Sequence, residues 1–358
     1  MGGLNAKVDS FFWENKRVFV TGHTGFKGSW LCLWLQSMGA VVKGYALKPN
    51  TTPNLFTEGK VSDHMQSEFG DIRDLEQISK SMSDFNPEIL IHMAAQPLVR
   101  QSYKDPIETY STNVMGTVNV LEAARSCRCL KAIVSVTTDK CYENKEWVWG
   151  YREDEPMGGH DPYSSSKGCA ELVTAAYRTS FFTGQNTANL ASARAGNVIG
   201  GGDWADDRLI PDILRAFEKQ EPVIIRNPLA TRPWQHVLEP LSGYLVLAQH
   251  LYEQDGEQYA EAWNFGPKDE DCKPVNWILN QMVEQWGNGA SWKLDTNNNP
   301  HEASFLKLDC SKAINRLKWQ PQWSLHKTLS LIIDWQQHFL NQGDVQTACL
   351  SEINKYSN

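Results

Sequence analysis

Apolar runs of strand length alternate with stretches of helical period along the first half of the chain. Positions 17–21 (RVFVT) read as a buried strand, 28–38 as a helix and 41–47 as a second strand. Further strands fall at 88–93 (EILIHM) and 130–136 (LKAIVSV), with a long helical stretch at 106–127 between them, then a helix at 162–182 and a strand at 187–193. Strands of a parallel sheet are covered on both faces and so read as near-continuous apolar runs, and helices joining them give a doubly wound arrangement. The expected fold class is therefore α/β, with a doubly wound parallel sheet.

After Asn197 the pattern changes. A glycine-rich loop at 200–202 and Pro, Trp and Arg punctuation precede helices near 211–219 and 240–252; beyond these, short helices mix with polar loops such as 295–300. This part is expected to form a smaller, mixed α/β C-terminal lobe over the carboxyl edge of the sheet, where ligands bind in open α/β folds. The expected division is 1–196 for the sheet domain, with a return segment at about 237–267, and 197–236 plus 268–358 for the lobe. The polar tail from Gln342 onward is expected to fray.

Composition narrows the partners more than the fold. The chain has 358 residues, and its 34 Lys and Arg against 42 Asp and Glu give a formal charge of −8. That leaves no basic footprint for nucleic acid or an anionic membrane, so any anionic ligand needs a local basic cluster. Residues 1–16 lack the features of a secretory signal, and no stretch approaches the roughly 20 apolar residues of a membrane span. The expectation is a cytoplasmic protein without membrane or nucleic-acid partners. Eight scattered cysteines suit reduced thiols better than a disulfide framework. Cys127 and Cys129 have no further ligands nearby, and no metal site is expected.

The first chemical signal is the run Thr21, Gly22, His23, Thr24, Gly25, Phe26, Lys27, Gly28, which follows a strand and opens a helix. Glycines at these spacings make a tight turn and let backbone approach a pyrophosphate, while the free amides of the helix N-terminus hold negative charge. The second signal is Tyr163 and Lys167, four apart in a helix and so on one face. A phenol of pKa about 10 is a poor base, but a neighbouring ammonium and a positive nicotinamide favour its phenolate, which can take the proton of a sugar hydroxyl as hydride leaves. The third is Thr138, Asp139 and Lys140, at the carboxyl end of the 130–136 strand and thus beside the same site.

These motifs, in this order, resemble the extended short-chain dehydrogenase/reductase family with its Rossmann-type sheet. The resemblance implies NAD, held by the glycine loop, by Asp71 and Ile72 after the third strand, by Ala94, Ala95 and Gln96 after the fourth, and by Tyr163 and Lys167, with Asn113 as a structural Asn. One departure stands out. NAD-preferring members carry an acid at the end of the second strand, whereas this chain reads Gly44, Tyr45, Ala46, Leu47, Lys48. The missing ionic hydrogen bonds are worth about 1.5–3 kcal/mol, so loosely held, exchangeable NAD is expected, and Lys48 leaves the 2′-phosphate of NADP open.

Within that family the Thr-Asp-Lys strand end resembles the nucleotide-sugar 4,6-dehydratases, and Lys at its third place resembles those acting on CDP-glucose. Once the C4 hydroxyl is a ketone, the C5 proton becomes acidic and the C6 hydroxyl can leave as water. Asp139 is the candidate acid, and Lys140 the candidate C5 base or enolate stabiliser. The same resemblance assigns the sugar diphosphate to Asn197, Arg208, Arg226, Arg232, Gln235 and His236, although His236 also suits a backbone-orienting role. It implies a homodimer built on the helices around 106–126 and 163–182, and a place in bacterial deoxysugar synthesis for surface polysaccharide such as O-antigen. His92, in an apolar strand, is expected to be a hydrogen-bonded core residue. A nucleotide-sugar 4-epimerase would use the same Tyr163 and Lys167 but leave Asp139 and Lys140 unexplained; a nicotinamide-responsive binding protein would leave the whole Thr, Tyr and Lys set unexplained.

Overall fold

A computed structural model describes residues 6–184, 187–295 and 305–358. Seven strands form one sheet: β1 Arg17–Thr21, β2 Val41–Ala46, β3 Gln66–Phe69, β4 Ile89–His92, β5 Ala132–Val136, β6 Asn189–Ala195 and, late in the chain, Ala262–Phe265. Their order is β3-β2-β1-β4-β5-β6 with Ala262–Phe265 outermost beside β6, and every neighbouring pair is parallel. Five of these strands are the apolar runs of the sequence; the polar β3 (QSEF) and the late strand Ala262–Phe265 were not among them. Its chain order reverses between β1 and β4, which opens a crevice at their carboxyl ends.

Helices cover both faces. The helix Phe26–Ser37 buries Trp30, Leu31, Leu33 and Leu35 against β1 and β2, whereas Phe19, Ile78, Met82, Val120 and Leu121 fill the opposite face. The helical stretch expected at 106–127 is broken into Pro106–Tyr110, a π-helical turn Ser111–Met115 and Gly116–Arg125. Such single π turns are often found at functional sites. This one carries Asn113, which ties it to the turn after β4. β6 runs two residues beyond its expected end because Arg194, a charge inside an apolar strand, obscures the continuation.

The second lobe has its own core of Ile210, Ile213, Phe217, Ile278, Leu279, Leu329 and Ile332. It contains a three-stranded sheet, in which Thr231–His236 lies between Asn197–Ile199 and Cys272–Pro274, and a two-stranded one. The polar loop expected at 295–300 lies, after Asp295, outside the described residues.

The tail does not fray, contrary to the reading of its polarity. Val345–Ser357 is a helix whose Asp344 cap accepts from the Thr347 amide at 2.7 Å. Val345, Cys349, Ile353 and Tyr356 form a buried stripe at helical spacing, and the Tyr356 ring meets Trp34 edge-on at 5.6 Å. The Tyr356 hydroxyl donates to Glu239 Oε2 at 2.6 Å. A stripe of four residues among polar neighbours is enough to dock a helix.

Candidate active site

The site begins where β1 stops. Gly22 has φ +80°, and a Cβ there would lie 2.8 Å from the Ala94 amide nitrogen; a Cβ on Gly28 would come within 2.1 Å of the Gly22 carbonyl oxygen. The loop, the helix start and the turn after β4 therefore touch backbone to backbone. The first amides of a helix have no carbonyl partners within it, and here they open onto a cleft of about 980 Å³ bordered by Gly22, Gly25, Phe26, Lys27 and Gly28. Asp71, Ile72, Ala94 and Ala95 form its next wall. Asp71 is fastened to Arg73 at 2.6 Å, which holds its carboxyl below the usual range. Ile72 fills the space where a Cβ on Gly116 would go, 2.4 Å from its Cδ1.

His23 and Gln96, expected to hold the cofactor, stand behind the wall, together with the structural Asn113. His23 is fully buried, its Nε2 paired with Ser67 Oγ at 2.7 Å and its ring where a Cβ on Gly44 would fall. Burial lowers its pKa to about 4, so it packs as neutral imidazole over β2. Asn113 accepts from the Gln96 amide at 2.8 Å and donates to the Gln96 carbonyl at 3.1 Å and to Ser166 Oγ at 2.9 Å, while the Gln96 side chain donates to Thr109 Oγ1 at 2.9 Å. Both hold the shape of the turn after β4 and do not border the cleft.

Thr138, Asp139, Lys140 and Tyr163 all border the cleft. The Thr138 hydroxyl donates to Asp139 Oδ1 at 3.0 Å. Asp139 is 1% exposed and its Oδ2 has no partner; burial raises its pKa, against Lys140, Thr138 and Arg232. Burial thus favours its protonated form. Lys140 is half-buried, its Nζ 5.9 Å from the centre of the Tyr163 ring.

Burial pushes the Tyr163 phenol up to about 12, with the Thr138 side chain pulling the other way. Lys167 lies beneath it with Nζ 3.5 Å from the Val136 carbonyl oxygen, and burial lowers the ammonium to about 8. Lys27, also in the cleft wall, is brought down to about 7 by burial, with Lys167 and Arg208 as positive neighbours.

The far wall is the second lobe: Asn197, Arg208, Arg226 and Arg232 border the cleft. Arg208 pairs with Asp203 at 2.8 Å, and Arg232 Nη1 donates to the Thr231 carbonyl at 3.0 Å. Trp204 and Trp234 lie along the same wall. Gln235 and His236 do not. Gln235 points to the opposite side of strand Thr231–His236 from Arg232 and Trp234 and donates to the Phe265 carbonyl at 2.9 Å, whereas His236, at the strand's end, is fully buried between Trp30 and Trp323, accepts from the Leu238 amide at 3.3 Å and meets Glu352 at 3.2 Å. They orient backbone. His92 is the core residue expected, bridging Thr21 and Thr117.

Sequence reading missed Glu171 and Arg194, buried partners behind the 137–142 segment. The available signals were an Arg within an apolar strand and a Glu one helical turn beyond Lys167. Among the described residues no cluster of metal-ligating side chains occurs, and all eight cysteines are free.

The family model described as GDP-mannose 4,6 dehydratase matches residues 19–332. The chain is 60% identical over 353 residues to a CDP-glucose 4,6-dehydratase of Salmonella typhimurium, covering 98% of each chain. Among solved structures it is similar to a UDP-glucose 4-epimerase of Thermotoga maritima with UDP-glucose (TM-score 0.78, 20% identity, 90% of this chain and 99% of that one). It is also similar to a dTDP-glucose 4,6-dehydratase of Bacillus anthracis in complex with NAD (TM-score 0.74, 22% identity, 92% of this chain and 98% of that one). At these identities the two structures establish the fold. From the family match and the Salmonella relative, the chain belongs to the GDP-mannose 4,6 dehydratase family of extended short-chain dehydrogenase/reductases, together with the CDP-glucose 4,6-dehydratases.

Proposed function

We propose that this protein is an NAD-dependent CDP-glucose 4,6-dehydratase, a hydro-lyase that converts CDP-glucose to CDP-4-keto-6-deoxyglucose and water. The observation that carries the reading is Asp139: an acid buried to 1% exposure, with an unpartnered oxygen, beside a Thr-Tyr-Lys oxidation set. An epimerase has no step for it. The CDP-glucose assignment rests on the relative that shares 60% identity over 98% of the chain.

The residues present fit NAD. The Gly22 and Gly28 contacts leave no room for side chains where a pyrophosphate approaches the helix start, and Ala94 and Ala95 keep the opposite wall low. Bound NAD supplies a hydride acceptor at C4, a donor back to C6, and a positive ring that favours the Tyr163 phenolate. Thr138 and Tyr163 hold the C4 hydroxyl, and Tyr163 takes its proton, with the Lys167 ammonium stabilising the resulting charge. With C4 a ketone, Lys140 removes the C5 proton or stabilises the enolate, and Asp139 gives its proton to the departing C6 hydroxyl. Proton return to C5 and hydride return to C6 leave cofactor and Asp139 ready once a proton is restored. Arg208, Arg226 and Arg232 supply guanidinium forks for the diphosphate.

A homodimer accords with an apolar patch across two helices, where Ile107 is 81%, Met115 53% and Leu172 60% exposed. Eight free thiols accord with a cytoplasmic location; no described helix is long and apolar enough to cross a membrane. The product class, a keto-deoxyhexose on a nucleotide, suits deoxysugar synthesis for surface polysaccharide. The test is incubation with NAD and CDP-, dTDP-, UDP- and GDP-glucose in heavy water. Loss of water from CDP-glucose with deuterium at C5 supports the reading; inverted C4 without mass loss replaces it with an epimerase.

A further inference from the structure

Glu171 and Arg194 form a buried ion pair, 2.7 Å apart and 4% exposed on each side, that the chemistry above does not use. Buried pairs often stabilise less than apolar side chains of the same volume, so stability alone is a poor account of this one. Its other hydrogen bonds point elsewhere. Glu171 Oε1 accepts from the Thr137 hydroxyl and Oε2 from Ser192 Oγ at 2.7 Å. Arg194 Nη1 donates to the Tyr142 hydroxyl at 2.7 Å and to the Glu153 carbonyl at 2.9 Å, and Tyr142 in turn donates to Asn264 Oδ1 at 2.7 Å.

Thr137 and Tyr142 are the two ends of the segment that carries Thr138, Asp139 and Lys140. Both ends are therefore fastened to one ion pair, and Glu171 sits one turn beyond Lys167 on the helix Pro162–Ser180 that carries Tyr163. Ser192 and Arg194, two apart on β6, face this helix together as strand alternation requires. Tyr163 and Lys167 both lie on that helix, one turn apart, so the oxidation pair keeps its spacing without the segment. Asp139 and Lys140 reach a substrate only from where the segment's backbone puts them.

We propose that Glu171 and Arg194 are positioning residues that clamp the 137–142 segment to the Tyr163 helix and thereby serve elimination more than oxidation. The proposal rests on the dehydratase reading. Replacing either charge would strand its partner and endanger folding, so the test removes the hydroxyls at the two ends: Thr137→Val and Tyr142→Phe, with Thr137→Ser as the conservative control. With CDP-glucose and NAD in a single turnover, both variants should form enzyme-bound NADH at the wild-type rate while water loss slows about tenfold, the barrier equivalent of one charge-assisted hydrogen bond. KM should hold, and Thr137→Ser should restore water loss. Equal slowing of both half-reactions, or a lowered Tm with the balance of the two steps unchanged, would overturn the clamp. A wild-type enzyme that never loses water would instead refute the dehydratase reading.

Discussion

Asp139→Asn separates proton donation from shape. The wild-type side chain is 1% exposed; Oδ1 accepts from Thr138 at 3.0 Å, and Oδ2 lies 3.2 Å from the point where a Cβ on Gly196 would sit. An amide oxygen preserves the Thr138 bond and an amide nitrogen fits the place of Oδ2, so the change subtracts the acidic proton and little else. Loss of a general acid slows its step by about 10²–10⁴-fold. Oxidation at C4 does not use Asp139, so NADH should form on the enzyme at the wild-type rate and persist. Stability should move the opposite way. Burial raises the Asp139 pKa in the folded protein, so from about pH 3.9, where an unfolded Asp titrates, up to that raised value the folded state holds a proton that the unfolded state has released. Wild type therefore loses stability as pH rises through this window, and Asn does not. Rapid-mixing absorbance, product NMR and thermal unfolding across pH 4 to 7 read the three effects. Product formation within tenfold of wild type, or a variant that loses ground in Tm against wild type as pH rises, would refute the argument.

Lys140→Ala should likewise leave oxidation intact and stop at bound NADH, since Lys140 serves C5; rapid product release by that variant would remove Lys140 from the mechanism. Ile107→Glu, at a residue 81% exposed on the apolar patch, should shift a dimer toward monomer in light scattering without changing far-UV circular dichroism; an unchanged mass would place the interface elsewhere. Tyr356→Phe removes one of two donors to Glu239 Oε2, the Tyr356 hydroxyl at 2.6 Å, and leaves the Gln322 amide at 3.0 Å; it should cost about 1.5–3 kcal/mol, the worth of a hydrogen bond to a charged group; denaturant unfolding measures it, and no change would mean that the tail helix is held by its apolar stripe alone. Gel filtration should strip much of the NAD and make turnover depend on added cofactor, because the end of β2 offers no carboxylate for the ribose; undiminished activity without added NAD would contradict this.

The central strands were legible because they are apolar runs, whereas β3 (QSEF) is polar and exposed; in the glycine loop, Gly22 and Gly28 answer to backbone contacts that leave no room for a side chain. The tail helix was not legible: a window average over 342–358 is polar, and only the four-residue stripe ending at Tyr356 reveals that one face is buried. Within the site, Thr138, Asp139, Lys140 and Tyr163 could be placed from sequence because a parallel strand must end at the crevice and a helix must present positions four apart together. His23, Gln235 and His236 illustrate the limit. Their motifs border the cleft, but side-chain direction alternates along a strand or turn, and spacing alone does not say which neighbours point inward. Lys167 shows a second limit: a Tyr and a Lys four apart share a helix face, yet spacing does not say that the Lys167 ammonium reaches the Val136 carbonyl. Glu171 and Arg194 were invisible for a related reason, since their meaning lies in partners that fall at distant places in the chain.

The central claim is that one cleft takes hydride from C4 and returns it to C6 after water has left. Turnover of CDP-glucose carrying deuterium at C4 tests it most directly. The account expects that deuterium at C6 of the 4-keto-6-deoxy product, with a solvent-derived hydrogen at C5. Deuterium released to solvent, or found again at C4 of an inverted sugar, would contradict it.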